Sequence, residues 1–167
     1  MKPGLLILDP QNDFFESDNP NLAEFQRVIP VINNDIDIFR ERQLPIIFIQ
    51  GTSAKKAAGT TNWEIYKGFD RRPEDTCLEK TYSNAFWKSK LGATLKSLHI
   101  NYVVIAGFVA EYCVLSTYRG AKERGYQAVI LQDAIASVDD NQRIQFVLDI
   151  SNNIPLCTLT EQLDALK

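Results

Sequence analysis

The stretch YVVIAGFVAEYCVLSTYRGAKERGYQAVIL, residues 102–131, decides the fold class of this chain. It opens with an unbroken apolar run, Tyr102–Ala106, which is typical of a strand buried on both faces of a sheet. A helical segment follows over residues 113–124, and Gly125 ends it because glycine tolerates the backbone turn after a helix. A second apolar run, Ala128–Leu131, comes next. Two buried strands joined by a helix predict a parallel strand–helix–strand unit.

The same alternation of strand and helix extends along the chain on both sides of this unit. Four further runs predict strands, and they lie at Leu5–Leu8, Ile46–Ile49, Cys77–Lys80 and Pro155–Leu159. Apolar residues at helical spacing separate most of them, and the first of these helices is predicted to begin at Pro30 because proline suits a first helical turn. The chain is therefore predicted to be an α/β protein of one domain, residues 1–167, with a parallel sheet between two layers of helices.

The composition excludes several classes of protein. Apolar residues make up 45% of the 167 residues and charged residues 23%, which is typical of globular proteins. The net charge is −3 and the sequence contains no extended cluster of basic residues, so we expect no nucleic-acid partner. No apolar run approaches the ~20 residues of a membrane span, and the first residues do not resemble a signal peptide. Three cysteines, an odd number, then favour a reducing compartment, and we expect a cytoplasmic protein.

A single histidine, His99, restricts the chemistry further. A zinc site built from several imidazoles is excluded, and the three cysteines are too widely spaced for a zinc site of their own. His99 precedes the strand at Tyr102–Ala106, so it is expected at the amino edge of the sheet. At ~3.3 Å per strand residue it would lie more than about 15 Å from residues beyond the other edge. We therefore expect a structural histidine.

Three reactive side chains follow predicted strands at their carboxyl ends, where ligands bind in sheets of this kind. They are Asp9, Lys80 and Cys113. Singly, each has a structural alternative as a turn residue, a solvated charge or a buried thiol. Together at one edge they indicate a site, with Cys113 as nucleophile and Asp9 as the candidate base. A thiol that begins a helix beside a lysine is expected to have a pKa below the ~8.5 of free cysteine.

Three segments carry a resemblance to a known family. They are LLILDPQNDFF at 5–15, EKTYSNAF at 79–86 and VVIAGFVAEYCVLSTYRGAKERGYQAVILQDAIAS at 103–137. Together they resemble the signature regions of the isochorismatase-like cysteine hydrolases, which include nicotinamidases, N-carbamoylsarcosine amidases and isochorismatases. The resemblance implies a six-stranded parallel sheet in the order 3-2-1-4-5-6, with helices on both faces.

The resemblance also implies a catalytic triad, carried here by Asp9, Lys80 and Cys113. It implies a cis peptide bond between Phe108 and Val109. That bond would direct the backbone amides of Val109 and Cys113 towards a developing oxyanion.

Two departures from the family pattern narrow the function. Metal-dependent nicotinamidases carry an Asp-x-His pair after the second strand, where this chain reads Gln50-Gly51-Thr52-Ser53. No metal ion or other cofactor is therefore expected, and nicotinamide is not favoured as substrate. Siderophore-type isochorismatases lack the cysteine nucleophile, so Cys113 favours the amidase-like branch.

Four aromatic residues are expected to line the substrate pocket, with core packing as the alternative for each: Phe14, Trp63, Phe108 and Tyr112. Lys55-Lys56 and Arg71-Arg72 are interpreted as solvated charges. The segment 51–76 has no clear period and includes apolar residues, which favours an interface. A homodimer or larger homo-oligomer is therefore expected.

The sequence predicts a metal-independent hydrolase for a small amide, ureido or related acyl substrate, acting through a thioester on Cys113. Three alternatives stay open. One is hydrolysis of an isochorismate-like vinyl ether with Asp9 alone as acid. The second is a non-catalytic scaffold or ligand-binding protein, and the third is a thiol redox sensor, for which Cys113 has no obvious resolving partner.

Overall fold

Six parallel strands form the central sheet of the protein, whose computed structural model describes residues 1–138 and 141–165. The strands of this described part are β1 (Pro3–Leu8), β2 (Ile46–Gly51), β3 (Thr76–Lys80), β4 (Tyr102–Phe108), β5 (Gln127–Ala136) and β6 (Asn153–Ile154). Their order in the sheet is β3-β2-β1-β4-β5-β6, and each neighbouring pair is parallel. The α/β class and the order 3-2-1-4-5-6 are thus confirmed.

Helices cover both faces of the sheet. They are α1 (Leu22–Glu41), α2 (Leu91–Ser97), α3 (Leu115–Glu123), α4 (Asn141–Asp149) and α5 (Leu156–Asp164). Two short elements complete the chain, a 3-10 helix at Asn12–Phe15 and a π-helical turn at Ala110–Val114. None of the helices in the described residues is long and apolar enough to cross a membrane.

Side chains alternate between two hydrophobic cores, as the pleat of a strand requires. Leu5 and Ile7 of β1 pack with α1 and α5 on what we call the α1 face. Leu6 and Leu8 pack with α2, α3 and α4 on the α3 face. Burial on both faces explains why these strands are continuous apolar runs in the sequence.

The first helix begins earlier than predicted. It starts at Leu22, so Pro30 lies in its interior rather than in its first turn. An interior proline removes one backbone hydrogen bond. The apolar side chains of Phe25, Val28 and Ile32 are fully buried in the α1-face core. Their burial contributes more than the missing hydrogen bond costs, so the helix continues through the proline.

The predicted strand at Pro155–Leu159 is wrong. The last strand is only Asn153–Ile154, and α5 begins at Leu156. Pro155 precedes the helix with φ −71° and ψ 158°, which suits the residue before a first helical turn. Leu159 and Leu163 follow at a spacing of four residues and are buried, so a helical face forms the contact with the sheet.

Candidate active site

Three side chains predicted for the site meet at the carboxyl edge of the sheet. The Lys80 Nζ lies 2.9 Å from Oδ2 of Asp9 and donates to the Cys113 Sγ at 3.1 Å. Asp9 and Lys80 are 3% and 5% exposed, and Cys113 is partly buried. The lysine ammonium therefore bridges a buried carboxylate and a thiol that are 104 residues apart in the sequence.

Asp9 owes its position to a tight turn directly after β1. Its φ is +51°, and its backbone N–H donates to the Ile49 carbonyl of β2 at 2.8 Å. Gly51, at the end of β2, leaves the space that the carboxylate fills. A Cβ at this position would lie 2.5 Å from Oδ1 of Asp9, well inside van der Waals contact.

Cys113 lies in the π-helical turn that connects β4 to α3, two residues before the α-helix begins. Such wide turns are frequent at functional sites. The Phe108–Val109 peptide bond, which precedes the turn, is cis. Gly107 has φ +109°, and a Cβ there would overlap the Leu8 carbonyl oxygen. Close packing of β4 on β1 therefore requires glycine at 107.

The expected low pKa of the nucleophile is wrong. Burial raises the pKa of Cys113 to about 11, and the negative charge of Asp9 adds to this effect while Lys80 opposes it. Burial acts to lower the pKa of Lys80, but the charges of Asp9 and Cys113 raise it, and the net direction is upward. At neutral pH the site therefore holds a charged lysine beside a protonated thiol.

Gln11, for which the sequence predicts no role, is fully buried near Asp9. Its side-chain Nε2 donates to the carbonyls of Gly51 at 3.0 Å and Trp63 at 2.8 Å, and its Oε1 accepts from the Gly51 N–H at 2.8 Å. Gln11 thus holds the segment 51–76 against the end of β1. A glutamine two residues after a strand-end aspartate was the signal that could have indicated this role.

Lys56 is an ion-pair partner rather than a solvated charge. Its Nζ contacts Oδ2 of Asp13 at 2.8 Å and lies 5.2 Å from the centre of the Phe14 ring. Burial raises the pKa of Asp13, and Lys56 opposes that shift. The pair gives the segment 51–76 a second attachment to the residues after β1.

The four aromatic residues predicted for the pocket occupy different environments. Phe108 is fully buried and its ring lies 4.9 Å from that of Phe25, so it belongs to the core in this structure rather than to a ligand pocket. Phe14 is partly buried against the same cluster, 5.4 Å from Phe108. Tyr112 is half exposed and directly precedes Cys113. Only Tyr112 is therefore both exposed and adjacent to the thiol.

Trp63 is partly buried and is joined by hydrogen bonds to the residues around the end of β2. Its indole N–H donates to the Thr52 hydroxyl at 2.9 Å, and its carbonyl accepts from the Gln50 amide at 3.0 Å. Trp63 is therefore hydrogen-bonded to Gln50 and Thr52, the two positions at which the family resemblance would place the Asp-x-His pair of a metal-dependent nicotinamidase. Within residues 1–138 and 141–165, no group of three or more His, Cys, Asp or Glu side chains is placed to hold a metal ion.

His99 is exposed, two residues after the end of α2, and has φ +57°. Its backbone N–H donates to the Lys96 carbonyl at 3.0 Å, as expected of a residue that ends a helix. It precedes β4, whereas Cys113 follows it, so the two lie at opposite edges of the sheet.

Comparison with known proteins agrees with this architecture. Residues 3–161 match the family model of the isochorismatase domain. The chain belongs to the isochorismatase family. An uncharacterised family member from Bacillus subtilis (strain 168), YrdC, is 29% identical over 172 residues, covering 96% of this chain and 89% of that protein.

Members with named activities are also similar to this isochorismatase-family protein. A streptothricin hydrolase from Streptomyces noursei is 28% identical over 154 residues, covering 90% of this chain but 54% of that protein, so the chain spans about half its length. The structure of N-carbamoylsarcosine amidase from Thermoplasma acidophilum superimposes with a TM-score of 0.82 at 22% identity, covering 93% and 96% of the two chains. This second likeness concerns the fold.

Proposed function

We propose that this isochorismatase-family protein hydrolyses a small amide, ureido or related acyl substrate through a covalent intermediate on Cys113. The observation that carries the proposal is the Lys80 ammonium within hydrogen-bond distance of both Asp9 and Cys113. A nucleophile, a candidate base and a fixed positive charge in one buried cluster are the requirements of acyl transfer.

The first step in this proposal is proton transfer from Cys113 to Asp9, with attack of the sulfur on the substrate carbonyl carbon. Because the thiol is protonated at neutral pH, the proton transfer is a step of the reaction and not a property of the resting site. Lys80 stabilises the negative charge as it passes between the carboxylate and the sulfur. The backbone N–H groups of Val109 and Cys113 are proposed to stabilise the oxyanion.

The second step is collapse of the tetrahedral intermediate. Asp9 returns the proton to the leaving nitrogen, the C–N bond breaks, and a thioester on Cys113 remains. Asp9 then removes a proton from a water molecule that attacks the thioester carbonyl. The C–S bond then breaks and Asp9 returns its proton to the sulfur, so the products are the released amine or ammonia, the free acid and the regenerated thiol. None of these steps requires a metal ion.

The substrate class is supported by the names of relatives, a streptothricin hydrolase and an N-carbamoylsarcosine amidase among them. Hydrolysis of a C–N bond next to a carbonyl is common to the reactions that these names describe. The proposal extends that chemistry to this chain on the basis of its own Asp9, Lys80 and Cys113.

A screen by intact-mass spectrometry tests the proposal. The protein is incubated with a panel of amides and ureido compounds, quenched in acid and measured for the mass added by an acyl group. Substrates found in this way are then used in turnover assays with Cys113→Ala, Asp9→Asn and the double variant. Cys157→Ala is the matched control, because Cys157 is an exposed thiol on α5, outside the cluster.

The expected result is an acyl adduct in wild type and in Cys157→Ala, and none in Cys113→Ala. Loss of either Asp9 or Cys113 should reduce kcat to background, and the double variant should lose little more because the two act as a unit. Full turnover by Cys113→Ala would exclude the covalent route. If Asp9→Asn were inactive at the same time, that result would favour vinyl-ether hydrolysis by Asp9.

A further inference from the structure

A cavity lies between the carboxyl end of β2, the segment 51–76 and Cys77 of β3. It measures about 550 Å³, a volume typical of small-molecule sites. We call it the Gln50 cavity, lined by Gln50, Trp63, Tyr66, Lys67, Arg71 and Cys77 among others. Leu78 packs in the α3-face core, so its neighbour Cys77 points to the α1 face while Lys80 shares the face of Leu78.

The cavity carries more positive than negative charge. Lys67 and Arg71 line it, against one carboxylate, that of Glu64. Within the part of the chain that the structure describes, neither cation forms a salt bridge. Both are therefore free to bind a carboxylate on a ligand.

A buried polar group also lines this cavity. Gln50 is only 5% exposed, and its side-chain Nε2 donates to the Trp63 carbonyl at 3.0 Å. Its Oε1 accepts no hydrogen bond from the described residues. This oxygen is not among the buried side-chain atoms that lack a partner, so it is accessible and can accept a hydrogen bond from an N–H group of a ligand. The cavity thus matches a small peptide that offers an amide N–H together with carboxylates.

A reactive group completes the site. Cys77 is an exposed free thiol, and the Arg71 Nε donates to its Sγ at 3.2 Å. The other guanidinium N–H groups of Arg71 point away from that bond in a rigid fork. A ligand carboxylate bound by these groups would therefore lie close to the Cys77 sulfur.

We propose that Cys77 is a site of thiol–disulfide exchange with small peptide disulfides that carry carboxylates, which the Gln50 cavity binds before reaction. Cys77 loses its proton to solvent, and its sulfur attacks one sulfur of the disulfide. A bond forms between these two sulfurs, the original S–S bond breaks, and the other half leaves as a thiolate that takes up a proton. The disulfide is the oxidant, and the product is a mixed disulfide on Cys77.

The test compares two disulfides on the full chain at pH 7. Oxidised glutathione carries carboxylates and amides, whereas bis(2-hydroxyethyl) disulfide is uncharged. Modification is followed by peptide mass spectrometry, with the exposed thiol of Cys157 as reference in the same molecule. We expect oxidised glutathione to modify Cys77 at least about tenfold faster than Cys157, a factor that one charge-assisted hydrogen bond can supply. The rate should saturate with concentration. The uncharged disulfide should modify Cys77 and Cys157 at similar rates.

Substitution of the cavity cations separates binding from simple exposure. Arg71→Gln removes a donor to the Cys77 sulfur and so slows both reactions, but it should slow the reaction with oxidised glutathione by about tenfold more than the reaction with the uncharged disulfide. Arg72→Gln is the matched control, since Arg72 is the exposed neighbour that does not line the cavity. Lys67→Gln provides a second variant should Arg71→Gln fold poorly by circular dichroism. Equal rates at Cys77 and Cys157, or equal effects of Arg71→Gln and Arg72→Gln, would overturn the proposal.

Discussion

Asp35 lies in the middle of α1 with no solvent exposure, which makes the stability of the fold depend on pH. Neither of its carboxylate oxygens accepts a hydrogen bond from the described residues. Burial, reinforced by the negative charge of Asp133 on β5, raises the pKa of Asp35 from 3.8 to about 8. The folded protein therefore keeps a proton on Asp35 that the unfolded chain releases near pH 4.

This difference in proton binding sets the direction and the size of the effect. The contribution of Asp35 to stability is fully present below the unfolded pKa of 3.8 and is lost as the pH rises through about 8. Between those values the free energy of unfolding falls by about 1.4 kcal/mol per pH unit. From pH 5 to pH 7.5 the loss amounts to about 3 kcal/mol, a large share of the 5–15 kcal/mol typical of a folded domain.

Asp35→Asn removes the titration while it keeps the shape of the side chain. Urea unfolding curves for wild type and variant are measured at pH 5, 6, 7 and 7.5. The free energy of unfolding of the variant, minus that of wild type, should rise by about 1.4 kcal/mol per unit. Any constant cost of burying the asparagine amide shifts this difference equally at every pH and leaves its slope intact.

Asp37→Asn is the control for this series, because Asp37 is an exposed carboxylate two residues further along the same helix. Its difference from wild type should stay within about 0.5 kcal/mol across the range. A difference for Asp35→Asn that is equally flat between pH 5 and pH 7.5 would refute the reasoning, since Asp35 would then be ionised in the folded protein or paired.

Four other predictions follow from the structure. Iodoacetamide should label Cys113 more slowly than the other two cysteines at pH 7, with a rate that rises towards pH 11, because its pKa is raised to about 11; fastest labelling of Cys113 at pH 7 would contradict this. Gln11→Leu should lower the free energy of unfolding by about 3 kcal/mol and expose the segment 51–76 to proteases, since three hydrogen bonds are lost; unchanged proteolysis would show that other contacts hold the segment. Gly107→Ala should destabilise the fold by at least about 3 kcal/mol in urea unfolding, because φ is +109° and the new Cβ would overlap the Leu8 carbonyl. Sedimentation at micromolar concentration should give a species heavier than one chain, and a clean monomer would end the proposal of a homo-oligomer.

The local pattern of the chain determined its architecture. Unbroken apolar runs such as Tyr102–Ala106 occur where a strand is covered on both faces, and helical spacing between such runs requires crossovers. Each reactive side chain of the site follows or ends one of these runs, so their meeting at one edge could be predicted. These features depend on residues close in sequence, where periodicity and spacing carry the information.

The starting residues of two helices, α1 and α5, depended on packing against the sheet. Pro30 favours a helix start and Pro155–Leu159 resembles a strand, yet α1 continues through Pro30 and α5 begins at Leu156. In both cases the burial of side chains against distant strands outweighs a local preference of a few kcal/mol or less. A single sequence shows the preference but not the surface against which the segment packs.

The electrostatics of the site were decided by the tertiary structure alone. A thiol near a helix start with a lysine beside it predicts a low pKa, but burial and the Asp9 carboxylate reverse the direction at Cys113. Likewise Lys56, expected in solvent, pairs with Asp13, 43 residues away. Desolvation and charge pairing depend on distances of a few ångströms between residues far apart in the chain, and folding alone sets those distances.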